Sequence, residues 1–396
     1  MKNIEMQSIY MLKGSKMNGG MKMKKLVSIL LVIALLFTIA ACDSTKDKPA
    51  EPSESAAPVE TEDTPVETED VPAPSETEAE EKPDFSGKTL NVVATSDKYG
   101  PLFDKFTEAT GAKVEFLSMS SGEVLSRVKA EGGTPMADLW FGGGLDAFMA
   151  AKDDGLLEQY HAKEADKVAP EYRDADGYWY AKGITVVGFM ANNAVLEELG
   201  QEAPKTWEDI VKPEFKGEVI MSNPAISGTN YAAVKGLLDM FGDEGWNYLA
   251  KLNENIPFYG KRGKDPQEKT VAGEFAVGII PVDKSAFDAA EEGDLTVVYP
   301  EDGIPWVPEG VAIFKNGANV DVAKAFIDFM LTSEAMEIIA ELDGKDGAQM
   351  IVPGIKGFEL GLPEDKLIKQ DLSTFGSMRE EILAQWEDMT KDKETK

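Results

Sequence analysis

The sequence predicts an α/β body carried behind an N-terminal export signal and a polar tether. Three observations support this. Short apolar strands alternate with amphipathic helices from Phe85 onward, an apolar run of sixteen residues precedes the only cysteine, and the segment after that cysteine is built from Glu, Thr, Pro, Ser and Ala. At 396 residues the chain has room for two or three domains, and its apolar content of 43% is that of an ordinary water-soluble protein.

The apolar run is Leu26 to Ala41, LVSILLVIALLFTIAA, preceded by Lys22, Lys24 and Lys25. It falls short of the about 20 residues that cross a bilayer, so residues 1–41 read as a signal peptide. The border IAAC, Ile39 to Cys42, resembles a bacterial lipobox. That resemblance implies cleavage before Cys42 and diacylglycerol on its thiol. The polar residues 1–20 add nothing to such a signal, which makes Met21 or Met23 a candidate start. A single cysteine excludes any disulfide within the chain.

From Asp43 to Asp84 fifteen acids face three lysines, and the hexad PVETED occurs twice, at Pro58 and Pro65. Such a composition cannot bury a core and predicts a disordered tether extended by self-repulsion. The formal net charge of −31 argues against nucleic-acid binding, which needs a basic face.

In the body, TLNVVAT (89–95) is a buried strand and YGPLFDKFTEATG (99–111) a helix with Leu102, Phe103 and Phe106 inward and Gly111 as its stop. AKVEFLS (112–118) is a strand, SGEVLSRVKAEGG (121–133) a helix, and ADLWFGGG (137–144) a strand running into three glycines. A second set follows: GITVVGFMANN (183–193), GEVIMSNP (217–224), the helix after SGT, and FAVGIIPVDKS (275–285). Residues 295–317 carry two strand-like runs interrupted by three prolines and suit a crossing from one lobe to another. The alternation predicts mostly parallel sheets, and ligands of open sheets gather at the carboxyl ends of strands.

Six blocks in order, PMADLWFGGG, GYWYAKGITVVGFMANN, TWEDIVKPEFKGEVIMSNPAISGTNY, GEFAVGIIPVD, EGVAIFKNGANVDVAKAFIDFMLTSEAMEIIA and LIKQDLSTFGSMREEILAQWE, resemble the extracellular solute-binding proteins of ABC importers. More narrowly they resemble the branch that binds ferric iron, sugar phosphates or phosphonates. The resemblance covers about residues 90–389. It implies a two-lobed periplasmic-binding-protein-like fold of type II, with mixed sheets flanked by helices and strand crossovers as the hinge. It also implies closure of the lobes on one small solute and delivery to a permease. Lobe 1 would take residues 85–183, lobe 2 residues 184–307, and residues 308–396 would return to lobe 1 and add the C-terminal helices. The chain would be a monomer, exported and lipid-anchored to the outer face of the cytoplasmic membrane, needing no cofactor.

Ser227 is a good N-cap for a helix whose inward face would include Tyr231, Val234, Leu238 and Phe241. Asn230 stands where a capping box would place Glu or Gln, so amide donors stay free. Free N–H groups and the helix dipole make an anion site, with about 0.3–2 kcal/mol from the dipole. Two readings of Ser227, Gly228 and Thr229 therefore stand: a cap, or a grip on an acid group, as the resemblance implies. By the same physics Ser120 and Ser121 either cap the helix in SMSSGE or donate to a ligand. Thr95, Ser96 and Gly143 would face the cleft in the family fold, glycine letting backbone approach closely. Asp283 and Lys284 stand where relatives often have His-Asp; Asp283 could accept ligand hydroxyls and Lys284 could pair with an acid, or both could be a solvated strand end. Trp179, Trp306 and Tyr299 are candidate apolar walls, each equally a core residue.

Ferric binders of the family use adjacent tyrosines. This chain has no Tyr-Tyr, and its one histidine, His161, lies in a polar stretch that predicts a surface position. No metal-ligand spacing stands out, so iron is the second choice and a small anionic solute the first. An enzyme on the same fold is a further alternative, but there is no nucleophile elbow, Cys-His pair, Walker loop or metal motif.

Overall fold

The computed structural model describes residues 83–132 and 134–396. The signal peptide, Cys42 and the tether up to Lys82 lie outside the described residues.

The first half is built as the apolar spacing predicts. Strand β1 (Thr89–Ala94) leads to helix α1 (Gly100–Thr110), which buries Leu102, Phe103 and Phe106 and ends on Gly111 at φ 73°. That left-handed backbone suits glycine. Next come β2 (Lys113–Ser118), α2 (Ser121–Ala130), β3 (Leu139–Gly144), α3 (Leu145–Asp153) and the short β4 (Leu157–Glu158). The rings of Phe103, Phe141 and Phe326 meet at centroid distances of 5.8 Å, and this apolar burial contributes roughly 1.5–3 kcal/mol per side chain.

Strand β5 (Tyr180–Asn192) is buried along all 13 residues because it serves both halves. Tyr180 to Val186 pair with β9 (Trp306–Phe314), whereas Val187 to Asn192 pair with β7 (Val277–Pro281) and β8 (Leu295–Val298). Its start lies three residues before the expected Gly183, since Lys182 interrupts the apolar run yet is fully buried.

The second half adds α4 (Asn193–Leu199), β6 (Val219–Ile220), α5 (Gly228–Phe241), α6 (Gly245–Asn255), α7 (Asp265–Val271) and α8 (Lys284–Glu292). Strand β6 is shorter than the run to Pro224 suggested, because Asn223 turns the chain: its side chain accepts from the Ala225 amide at 2.9 Å. Helix α5 is buried on nearly every side, with Leu237 rather than Leu238 fully inside.

The chain ends with α9 (Val320–Met330), α10 (Ser333–Asp343), α11 (Thr374–Ser377) and α12 (Arg379–Thr390). Helix α12 packs on the second half, Trp386 meeting Tyr259 at 5.2 Å between ring centroids.

The strand order is β2-β1-β3-β9-β5-β7-β6, with β4 on β9 and β8 on β5. Pairs β1–β2, β1–β3 and β6–β7 are parallel, but every pair made by β5 or β9 is antiparallel. The sheets are therefore mixed, not mostly parallel. The two crossing strands run against their neighbours, and apolar alternation carries no signal of direction.

Candidate functional site

The carboxyl ends of β1, β3 and β7 and the amino ends of α2 and α5 converge on a cavity of about 880 Å³. Thr95, Ser96, Ser120, Ser121 and Gly143 line it from the first half, and Ser227, Gly228, Thr229 and Asp283 from the second. All nine candidate residues thus face one space. Trp179, Trp306 and Tyr299 do not line it, and His161 is exposed elsewhere.

Glycine shapes the meeting of the two halves. Gly143 has φ 106° where the β3–β9 register shifts, and a Cβ there would lie 2.4 Å from Ser121 Cβ. A Cβ on Gly228 would lie 2.6 Å from the Gly144 nitrogen. The α2 and α5 termini also bond directly, the Gly122 amide donating to the Ile226 carbonyl at 3.2 Å.

Ser227 caps α5, its hydroxyl accepting from Asn230 Nδ2 at 3.1 Å and the Asn230 amide at 3.4 Å. The next two amides, of Gly228 and Thr229, have no acceptor among the described residues, nor does the Thr229 hydroxyl have a partner. Ser120 occupies the N-cap of α2 without a side-chain cap bond, and Ser121 is buried with its hydroxyl unpartnered. Ser96 caps a short turn through the Lys98 amide at 3.4 Å. Asp283 caps α8, accepting from the Ser285 amide at 2.9 Å. Lys284 turns onto Asp288 and does not line the cavity.

Five charged residues beneath the cavity escaped sequence reasoning. Lys182 bonds Asp343 and, at 2.7 Å, Glu309; Lys98 meets Asp343 at 2.8 Å; Lys345 lies 3.4 Å from Glu309 and donates to Thr185 Oγ1 at 3.0 Å. The Tyr99 hydroxyl donates to Asp343 at 2.8 Å. Burial works against every charge here, but the lysines overcome it at Glu309, held down at about 2, and at Asp343, held below the usual carboxylate range. Lys98 and Lys182 are raised, desolvation being outweighed by Asp343. The available signal was Lys182, which shares a strand face with Tyr180 and Ile184, a core position for a cation.

A basic loop was missed as well. Lys261, Arg262 and Lys264 line the cavity with no side-chain partner among the described residues. Asp265 shapes the loop, accepting from the Lys261 and Arg262 amides at 2.7 and 2.8 Å. Among the described residues no group of three or more His, Cys, Asp or Glu could hold a metal ion.

Two α/β halves joined by crossing strands around a polar cavity define a binding protein of the type II periplasmic class. Residues 101–359 match the family described as bacterial extracellular solute-binding protein, and the chain belongs to that family. It is 32% identical over 239 residues to an uncharacterized protein of Haemophilus influenzae, covering 59% of this chain and 69% of that one. A probable ABC transporter periplasmic-binding protein, y4fP of Sinorhizobium fredii, is 28% identical over 253 residues, 60% of this chain and 68% of its own. Among solved structures, AfuA from Actinobacillus pleuropneumoniae with exogenous fructose-6-phosphate bound superposes with a TM-score of 0.72 at 29% identity, over 77% of this chain and 99% of AfuA. Iron-bound HitA from Pseudomonas aeruginosa, at 19% identity and a TM-score of 0.66 over 76% of this chain and 99% of its own, shares the fold.

Proposed function

We propose that this solute-binding protein captures a small phosphate ester or phosphonate between its halves and delivers it to the membrane subunits of an ABC importer. One observation carries the reading: the unpartnered amides of Gly228 and Thr229 at the start of α5 open onto the same cavity as Lys261, Arg262 and Lys264. Helix amino termini and charge-assisted donors are what a phosphoryl group needs. The net charge of −31 opposes an anion at long range, but salt screens that field beyond roughly 8–10 Å while donors at contact are hardly screened. AfuA with its bound fructose-6-phosphate supports the ligand class.

In this reading residues 85–183 and the return from 308 form lobe 1 and residues 184–307 lobe 2, with β5 and β9 as the hinge that ligand binding closes. Diacylglycerol on Cys42 anchors an exported monomer to the outer face of the cytoplasmic membrane, and the acidic tether holds the body clear of it. Binding without turnover is the expected behaviour. Ferric iron is less well served, since no adjacent tyrosines occur in the sequence.

Native mass spectrometry of protein purified without refolding, followed by calorimetry with fructose 6-phosphate, 2-aminoethylphosphonate and ferric citrate, tests the proposal. Retention or tight binding of a phosphorylated compound is expected. Tight ferric binding with no response to either organic anion would overturn it.

A further inference from the structure

The cavity has a second cationic pole. At its floor three lysines, Lys98, Lys182 and Lys345, face two carboxylates, Glu309 and Asp343, so the floor carries one excess positive charge. Two of the lysines, Lys98 and Lys345, line the cavity, and Lys345 has only 5% of its side chain exposed. Its contacts are the Thr185 hydroxyl and a long approach to Glu309, which leave donor capacity turned to the open space. An excess charge at such burial is costly until an anion meets it.

This pole is built from other residues than the helix termini: Lys98, Lys182 and Lys345 meet Glu309, Asp343 and Thr185, whereas the amino ends of α2 and α5 meet each other. Lys182 Cε lies 3.2 Å from where a Cβ on Gly142 would stand, beside Thr95. Ser121, on the far side of Gly143, lies with its hydroxyl 2.8 Å from where a Cβ on Gly228 would stand. Gly142 thus borders the floor pole and Gly143 the helix-terminus pole, with Thr95 against both. On the rim, the exposed Asp97, Glu123 and Glu268 are screened by solvent, as are Lys261, Arg262 and Lys264, while Asp265 and Asp283 spend acceptor oxygens on the Lys261 and Ser285 amides.

The geometry points to a ligand with two acid groups: a phosphoryl group at the amino ends of α2 and α5, and a carboxylate at the far end, received by Lys345, Lys98 and Thr185. A carboxylate matches the floor because one negative charge meets one excess positive charge, whereas a second phosphoryl dianion would exceed it. The cavity, at about 880 Å³, is large enough for a phosphorylated organic acid. An ammonium group at that end would be repelled. This inference rests on the phosphate-ester reading above and sharpens it.

Glucitol 6-phosphate and 6-phosphogluconate share one open chain and differ only at the carbon remote from the phosphate, a hydroxymethyl group in the first and a carboxylate in the second, so calorimetry with this pair isolates the floor. The full chain should prefer the acid by about 10-fold or more. In Lys345→Met and, independently, Lys98→Met, that ratio should fall toward one, with melting curves confirming that each variant is folded. Equal affinities in the natural protein, or an unchanged ratio in both folded variants, would overturn the carboxylate subsite and leave the phosphate-ester reading intact. Failure of both compounds to bind while fructose 6-phosphate binds would overturn this subsite alone, and failure of all three would overturn the phosphate-ester reading with it.

Discussion

Asp146 and Arg379, 233 residues apart, form a buried ion pair at 2.8 Å directly behind the turn that presents Ser227. The carboxylate is 1% exposed at the start of α3, and the guanidinium also donates to the Ala225 carbonyl at 3.4 Å and lies over the Tyr231 ring. Burial pushes the Asp146 carboxyl upward, only partly offset by Arg379. Arg379→Met should therefore strand a buried charge and cost about 3–5 kcal/mol of unfolding free energy. The double variant with Asp146→Asn should recover most of it in denaturant titrations. A single-variant loss below about 0.5 kcal/mol would show the pair to be incidental.

The two hydroxyls of the SGT turn should separate in their effects. Ser227→Ala removes a cap bonded to Asn230 and should lower stability by about 1 kcal/mol. Thr229→Val removes an unpartnered hydroxyl in the cavity and should weaken ligand binding by about 10- to 150-fold with little change in melting. Calorimetry and thermal melts on both variants decide it, and wild-type affinity in the Thr229 variant would return the turn to a purely structural role.

Gly228 meets the backbone of Gly144, which cannot give way as the nearby Ser121 hydroxyl could. A methyl group there would sit 2.6 Å from the Gly144 nitrogen, so Gly228→Ala should force the α5 terminus off β3. An affinity loss of at least about 10-fold and a more open body in small-angle scattering are expected. Wild-type values for both would mean that this close approach is dispensable.

Acid should dissolve the charged floor. Glu309 is held at about 2 against an ordinary 4.5, and Asp343 is also lowered, so both stabilise the fold above their unfolded values. That stability is lost as pH falls from about 4.5 toward 2, on the order of 3 kcal/mol for Glu309. Asp146 has the opposite sign, because its carboxyl is raised and protonation favours the fold. Denaturant titrations between pH 7 and 2.5 should show the decline, and Glu309→Gln should flatten it. A variant curve parallel to the natural one would exclude Glu309 as its source.

Cys42→Ala should release or mislocalise the protein, since no helix of the described residues is long and apolar enough to cross a membrane. Detergent-phase partitioning measures this, and unchanged partitioning would remove the anchor assignment.

Signals that act over a few residues were legible in the chain itself. Apolar periodicity placed β1, α1, β2 and α2, Gly111 marked a helix end, and helix-start chemistry marked Ser120, Ser121, Ser227, Gly228 and Thr229, which all reach one cavity. Each depends on local backbone preference or on which face of an element must be buried, which neighbouring residues dictate. The strand directions and the floor charges were decided only by the tertiary structure. Lys182 and Asp343 stand 161 residues apart, and nothing beside a buried lysine in sequence announces the carboxylate that satisfies it. Pairing of that kind is set by where β5, β9 and the end of α10 come together in space, because a buried charge is stable only beside partners that the fold, not the local sequence, delivers.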